Sequence, residues 1–85
     1  MPYAVLIRPA AERDRRALPS EMRQRVNATL LGLAEQPRPA GALTLTGLRI
    51  RWRLRIGDYR ILYEIDDTER EVLILRIAHR RDVYR

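Results

Sequence analysis

The chain has 85 residues, a formal charge of +6 and a pI near 11.0, and its 17 basic residues are all arginine. That length allows one domain over residues 1–85 with a single modest core, and the absence of cysteine excludes disulfides and thiolate metal sites and fits a reducing cytosol. No apolar run nears the ~18 residues of a membrane span, and MPYAVLIRPA lacks the basic start and long apolar stretch of a signal peptide, so a cytoplasmic protein without membrane contacts is expected.

Tyr3 to Arg8, β-branched and aromatic, reads as a short strand. Pro9 suits the first position of a helix, and Ala10 to Leu18 are good helix formers. Pro19-Ser20 breaks that helix and starts another, with Ser20 expected as its N-cap and Glu21 in the first turn. Met22, Val26, Leu30 and Leu33 then form an apolar stripe on a helix running to about Gln36, where Pro37 stops it. Residues 37–47 read as a loop rich in proline and glycine, with Leu43 and Leu45 packing down. Strands follow at about Leu48–Ile56, Tyr59–Asp66 and Glu71–Arg80. The expected fold is therefore α+β, in the order β-α-α-β-β-β, with an antiparallel meander packed on a helical hairpin.

From Arg49 to Arg55 every second residue is arginine, and Leu48, Ile50, Trp52, Leu54 and Ile56 fill the alternate places. A strand sends these two sets to opposite faces. A two-residue turn at Gly57-Asp58, a type II′ signal, sets Ile56 against Tyr59 and Arg55 against Arg60. The same register pairs Arg53 with Leu62, Trp52 with Tyr63, Arg51 with Glu64 and Arg49 with Asp66. Ile50, Trp52, Leu54, Ile56, Tyr59, Ile61, Tyr63 and Ile65 then make a core wall, joined by Leu73, Leu75 and Ile77. Trp52, Tyr59 and Tyr63 are accordingly packing residues. Val72 and Ile74 fall on the arginine face, as do Arg76 and Arg80.

Cross-strand ion pairing accounts for Arg49 and Arg51. Arg53 and Arg55 have no acidic residue opposite, and Arg55 faces Arg60. Like charges opposite one another destabilise a hairpin, so an anionic ligand explains the pair better than stability does. Guanidinium forks match phosphate, and a basic domain of this size points to nucleic acid, with an acidic protein as a compatible partner. With His79 the only histidine and the carboxylates scattered or paired, neither a metal centre nor a Ser-His-Asp set is expected, and no cofactor is implied. Arginine, tyrosine and one histidine suit RNA cleavage, where the substrate's 2′-OH attacks the adjacent phosphate and the protein supplies positioning, charge and proton transfer.

Leu33-Ala34-Glu35-Gln36-Pro37, Leu45-Thr46-Gly47, WRLRIGDYRILYEI (Trp52 to Ile65) and AHRRDVY (Ala78 to Tyr84) together resemble the RelE/ParE toxin superfamily over nearly the whole chain. The RelE branch contains the mRNA interferases of type II toxin–antitoxin modules. The resemblance implies a ribosome-dependent, metal-independent endoribonuclease that cuts mRNA in the A site, leaving a 2′,3′-cyclic phosphate and a 5′-OH. It implies phosphate clamps at Arg53 and Arg55, a transition-state stabiliser at Arg60, a leaving-group residue at Arg80 and a general base at Tyr84. His79 and Arg81 are further candidates, although strand parity turns His79 toward the core.

Some relatives carry lysine where this chain has Arg53 and Arg55, which keeps the charge and changes the options for proton transfer. The sequence ends at Arg85, so the C-terminal helix of some relatives is not expected. The implied partners are the ribosome, mRNA and an acidic cognate antitoxin in a hetero-oligomer. The alternatives are a ParE-like toxin that inhibits DNA gyrase by binding, and a basic adaptor that docks an acidic protein.

Overall fold

A computed structural model describes residues 2–45, 47 and 50–81. Its elements are β1 (Ala4–Ile7), α1 (Pro9–Ala17), α2 (Ser20–Glu35), β2 (Leu43–Leu45), β3 (Arg51–Ile56), β4 (Tyr59–Asp66) and β5 (Glu71–His79). They form a five-stranded sheet in the order β1-β5-β4-β3-β2, with β1 parallel to β5 and the other pairs antiparallel. The α+β hairpin-on-meander arrangement is as expected, with one strand added: Leu43–Leu45 pairs with Arg53–Arg51 instead of merely packing down.

Pro9 occupies the first turn of α1, and Glu12 there takes hydrogen bonds from Arg15 and Arg16 one turn on. Arg23 reaches back from α2 to the Leu18 and Arg16 carbonyls at 3.0 and 3.4 Å, covering acceptors left open at the end of α1. Pro19, with extended ψ of 148°, is the N-cap of α2, and Ser20 is its first helical residue. The expected serine cap is thus corrected, because the helix begins directly at the serine and no side chain caps it.

Val26, Leu30 and Leu33 of α2 bury against Ile56, Ile61 and Tyr63 of the sheet. Tyr63 is fully buried, its hydroxyl donates to the Pro37 carbonyl at 2.8 Å, and burial pushes its pKa up to about 12. Two parts of the expected core wall are different. Ile50 is 68% exposed, because β3 begins only at Arg51 and the pairing with β4 ends at Trp52↔Tyr63. In β5, Val72 and Ile74 are fully buried while Leu73 and Leu75 are half-buried. The register jumps from Leu62↔Arg76 to Tyr63↔Ile74, so Leu75 is an extra residue in a β-bulge, and the alternation reverses across it.

β1 stops short of the bulge: the Arg8 amide bonds the Ile74 carbonyl at 3.0 Å, and the chain then turns into α1. Asp14 of α1 takes over along the bare edge. Its carboxylate accepts the Ile77 amide at 2.9 Å and the Arg76 guanidinium at 2.7 and 3.2 Å. Asp14→Ala is expected to cost about 1–3 kcal/mol in chemical denaturation, because it orphans a main-chain donor on a buried residue.

A second polar cluster ties the N-terminal segment and the loop after α2 to the turn between β4 and β5. Asp67 accepts the Tyr3 hydroxyl at 2.5 Å and a bidentate Arg38 at 3.2 and 2.8 Å, while Arg38 lies 5.4 Å from the Trp52 ring centre. The Arg38 hydrogen bonds, followed by that from Tyr3, hold the Asp67 carboxyl at about 2. Arg15 holds Glu12 at about 2, below its ordinary 4.5. A depressed carboxylate means that the unfolded chain binds protons first on acidification. The stability these pairs contribute is therefore complete above about pH 4.5 and lost as the pH falls toward 2. Thermal melts across that window are expected to show a shallower acid-side loss for Asp67→Asn than for the parent chain.

Candidate active site

The sheet face turned away from the helices is ordered by the strand register. Arg55, Arg60 and Ala78 lie side by side across β3, β4 and β5, and the next row is Arg53, Leu62 and Arg76. The expected Arg55↔Arg60 juxtaposition is present, and so is the hairpin that creates it. Of the two turn residues only Gly57 has positive φ, at 57°, as a type II′ turn requires. A Cβ at Gly57 would approach the Met22 methyl at 3.3 Å and an Arg25 guanidinium nitrogen at 3.5 Å, so the turn lies directly on α2.

The Arg80 amide donates to the Asp58 carbonyl at 2.8 Å. That bond pins the chain leaving β5 to the hairpin tip and brings Arg80 to Arg60, four arginines being gathered at one end of the face. Arg60 is 9% exposed, and its buried Nε has no hydrogen-bond partner. Burial lowers its pKa first, and the positive charges of Arg55, Arg53 and Arg80 lower it further. Arginine keeps its proton at neutral pH. The shift thus expresses a cation that is both desolvated and repelled, a state that a bound anion relieves on both counts.

The other candidates divide. Arg51 forms its expected ion pair with Glu64, at 3.4 Å. Arg76, placed with Arg60 by parity, is instead taken by Asp14 at the strand edge. His79 is on the helix-side face opposite Tyr59, edge to face at 5.3 Å, with its Nδ1 accepting the Arg81 amide at 3.4 Å. It therefore sits across the sheet from the arginines, as its parity indicated. Arg81 is exposed beside Arg80. Tyr84 lies outside the described residues, as do Leu48 and Arg49, and with Arg49 its expected pairing to Asp66; the Asp66 carboxylate accepts the Glu69 amide at 3.0 Å.

Sequence reasoning overlooked Ala78 and Leu62 as the floor of this site. Their signal was in the register, which sets a small and an apolar residue among four guanidinium-bearing neighbours. The Asp58–Arg80 bond carries no sequence signal, since it joins main-chain atoms. Among the described residues no group of three histidines or carboxylates is arranged to hold a metal ion. The arrangement can bind a phosphate, spread its charge over several cations and hold it in one place.

The family described as the ParE toxin of the type II toxin–antitoxin system parDE matches residues 5–84. The chain belongs to the RelE/ParE toxin superfamily. It is 38% identical to toxin RelG of Mycobacterium tuberculosis over 100% of this chain and 99% of the relative. Among solved structures it resembles the toxin in the RelBE2 toxin–antitoxin complex of M. tuberculosis, with TM-score 0.81 and 32% identity over 93% of this chain and 99% of that one. It also resembles a chain of the archaeal RelE–RelB complex of Pyrococcus horikoshii, with TM-score 0.85 and 25% identity over 98% of this chain and 100% of that one. The chain is thus a RelE- and RelG-like toxin of a type II toxin–antitoxin system. No helix among its described residues is long and apolar enough to cross a membrane.

Proposed function

We propose that this RelE-like toxin is a ribosome-dependent endoribonuclease that cleaves mRNA in the A site without a metal ion. The observation that carries the reading is the buried, unpartnered Arg60 Nε among Arg53, Arg55 and Arg80. Arg53 and Arg55 clamp the scissile phosphate, and Arg60 stabilises the charge that builds on its oxygens. The 2′-oxygen forms a bond to phosphorus as the bond to the 5′-oxygen breaks. Tyr84 is assigned the 2′-OH proton, and Arg80 stabilises the departing 5′-oxygen, which takes up a proton from water to leave as a 5′-OH. Arg81 extends the RNA contact. His79, on the opposite face, has no part in proton transfer.

The reading places the toxin in the cytoplasm, where its substrate is translated. Its partner is an acidic cognate antitoxin that forms a hetero-oligomer with it and covers the basic face; the RelBE2 and archaeal RelE–RelB complexes of relatives support a cognate antitoxin as partner.

Inducing the toxin and mapping mRNA 5′ ends alongside plasmid supercoiling tests the reading. Codon-phased cuts in translated messages are expected, and Tyr84→Phe is expected to lose them. Gyrase-dependent DNA breaks with intact mRNA would establish the ParE-like alternative instead.

A further inference from the structure

β2 turns its apolar residues away from the core. Leu43 pairs with Arg53 and Leu45 with Arg51, while Thr44 pairs with Trp52. Residues directly opposite one another in a ladder share a face. Both leucines therefore stand on the arginine face, and the threonine stands on the helix side. A slip of one residue would reverse this and turn the leucines toward the helices. The register observed leaves Leu43 53% exposed. A lone exposed leucine is ordinary on a protein surface, so the place of this one is what counts. Among the described residues the other exposed large apolar side chains are Leu6, Ile7, Leu31 and Ile50, and none shares a row with Arg53, Arg55 or Arg60. Leu43 does: Leu43, Arg53 and the half-buried Leu62 run side by side across β2, β3 and β4. The row of Arg55 and Arg60 lies two residues along the strands, at ~7 Å.

We infer that Leu43 is a substrate-binding residue whose side chain covers the face of a nucleobase next to the scissile phosphate, with Leu62 completing the platform. A nucleotide is built as these two rows are, with a charged phosphate at one end and a flat, weakly polar base at the other. With the phosphate held by Arg55 and Arg60, the adjoining row meets a neighbouring base with two apolar side chains and one guanidinium plane. The contact is made to a base face, which all four bases possess, so it adds binding without demanding one sequence. The inference rests on the endoribonuclease reading proposed above.

The test compares the parent chain, Leu43→Ala and Leu43→Phe on ribosomes programmed with three messages. One is intact, and the other two carry a single abasic nucleotide on the 5′ or the 3′ side of the scissile phosphate. On the intact message Leu43→Ala is expected to lower kcat/KM by about five- to tenfold, the loss of burying the exposed half of a leucine, with an unchanged melting temperature. The parent is expected to lose a similar factor on one of the two abasic messages, and Leu43→Ala to lose nothing further on that message. Leu43→Phe restores an apolar surface and is expected to recover both the rate and the sensitivity to the missing base. Losses that simply multiply on both abasic messages would show no coupling between Leu43 and a base and would overturn the inference. Parent-like cutting by Leu43→Ala would overturn it as well, and weakened antitoxin binding by that variant would then assign Leu43 to the protein partner. A parent chain that cuts none of the messages would overturn the endoribonuclease reading itself, whereas cutting without coupling overturns the inference alone.

Discussion

Arg60→Ala is expected to lower the toxin's cleavage rate by about two to three orders of magnitude, the usual loss on removing a preorganised charge-stabilising donor. The fold is expected to survive it. Arg60 is 9% exposed, its Nε makes no hydrogen bond, and Arg55 stands directly opposite. Removing it removes an unpaired buried donor and a like-charge pair, so the melting temperature should hold or rise. Loss of activity with retained stability is the signature of a residue kept for function. Measured cleavage rates and thermal melts on the same preparations check both halves. A fully active Arg60→Ala would show that the site is misassigned.

The second large effect is on stability. Ile74→Ala is expected to cost about 2–5 kcal/mol in chemical denaturation, as for other fully buried large-to-small changes. Leu75→Ala should cost roughly 1 kcal/mol or less, since Leu75 is half-buried and its loss forfeits only part of a side chain's burial. Strict alternation counted back from Ile77 gives the opposite ranking. The bulge at Leu75 decides the matter, and equal or inverted costs would contradict it.

These two residues also mark where the sequence was legible and where it was not. The β3–β4 register could be read to the residue, from Ile56↔Tyr59 to Trp52↔Tyr63, because a two-residue turn leaves one pairing and alternation propagates it. Arg55 opposite Arg60 followed from that register. The placement of His79 on the core face followed from parity on the near side of the bulge. Beyond the bulge parity failed, because one inserted residue reverses every later side chain and leaves no compositional mark. β2 went unread because three residues in a proline- and glycine-rich stretch are too few to show a period. The roles of Asp14 and of the Asp58 carbonyl were hidden for another reason. Both depend on contacts between distant parts of the chain: Asp14 completes a bare strand edge, and Asp58 holds Arg80 through main-chain atoms alone.

The central claim is that the arginine cluster promotes attack by the message's own 2′-OH. The most direct test is cleavage by the purified toxin on ribosomes whose A-site codon carries a single 2′-deoxy nucleotide at the scissile position. The expected result is that the all-ribose message is cut to a 2′,3′-cyclic phosphate end while the deoxy-substituted message remains whole. Cutting of the substituted message at the same position, or no cutting of either, would contradict it.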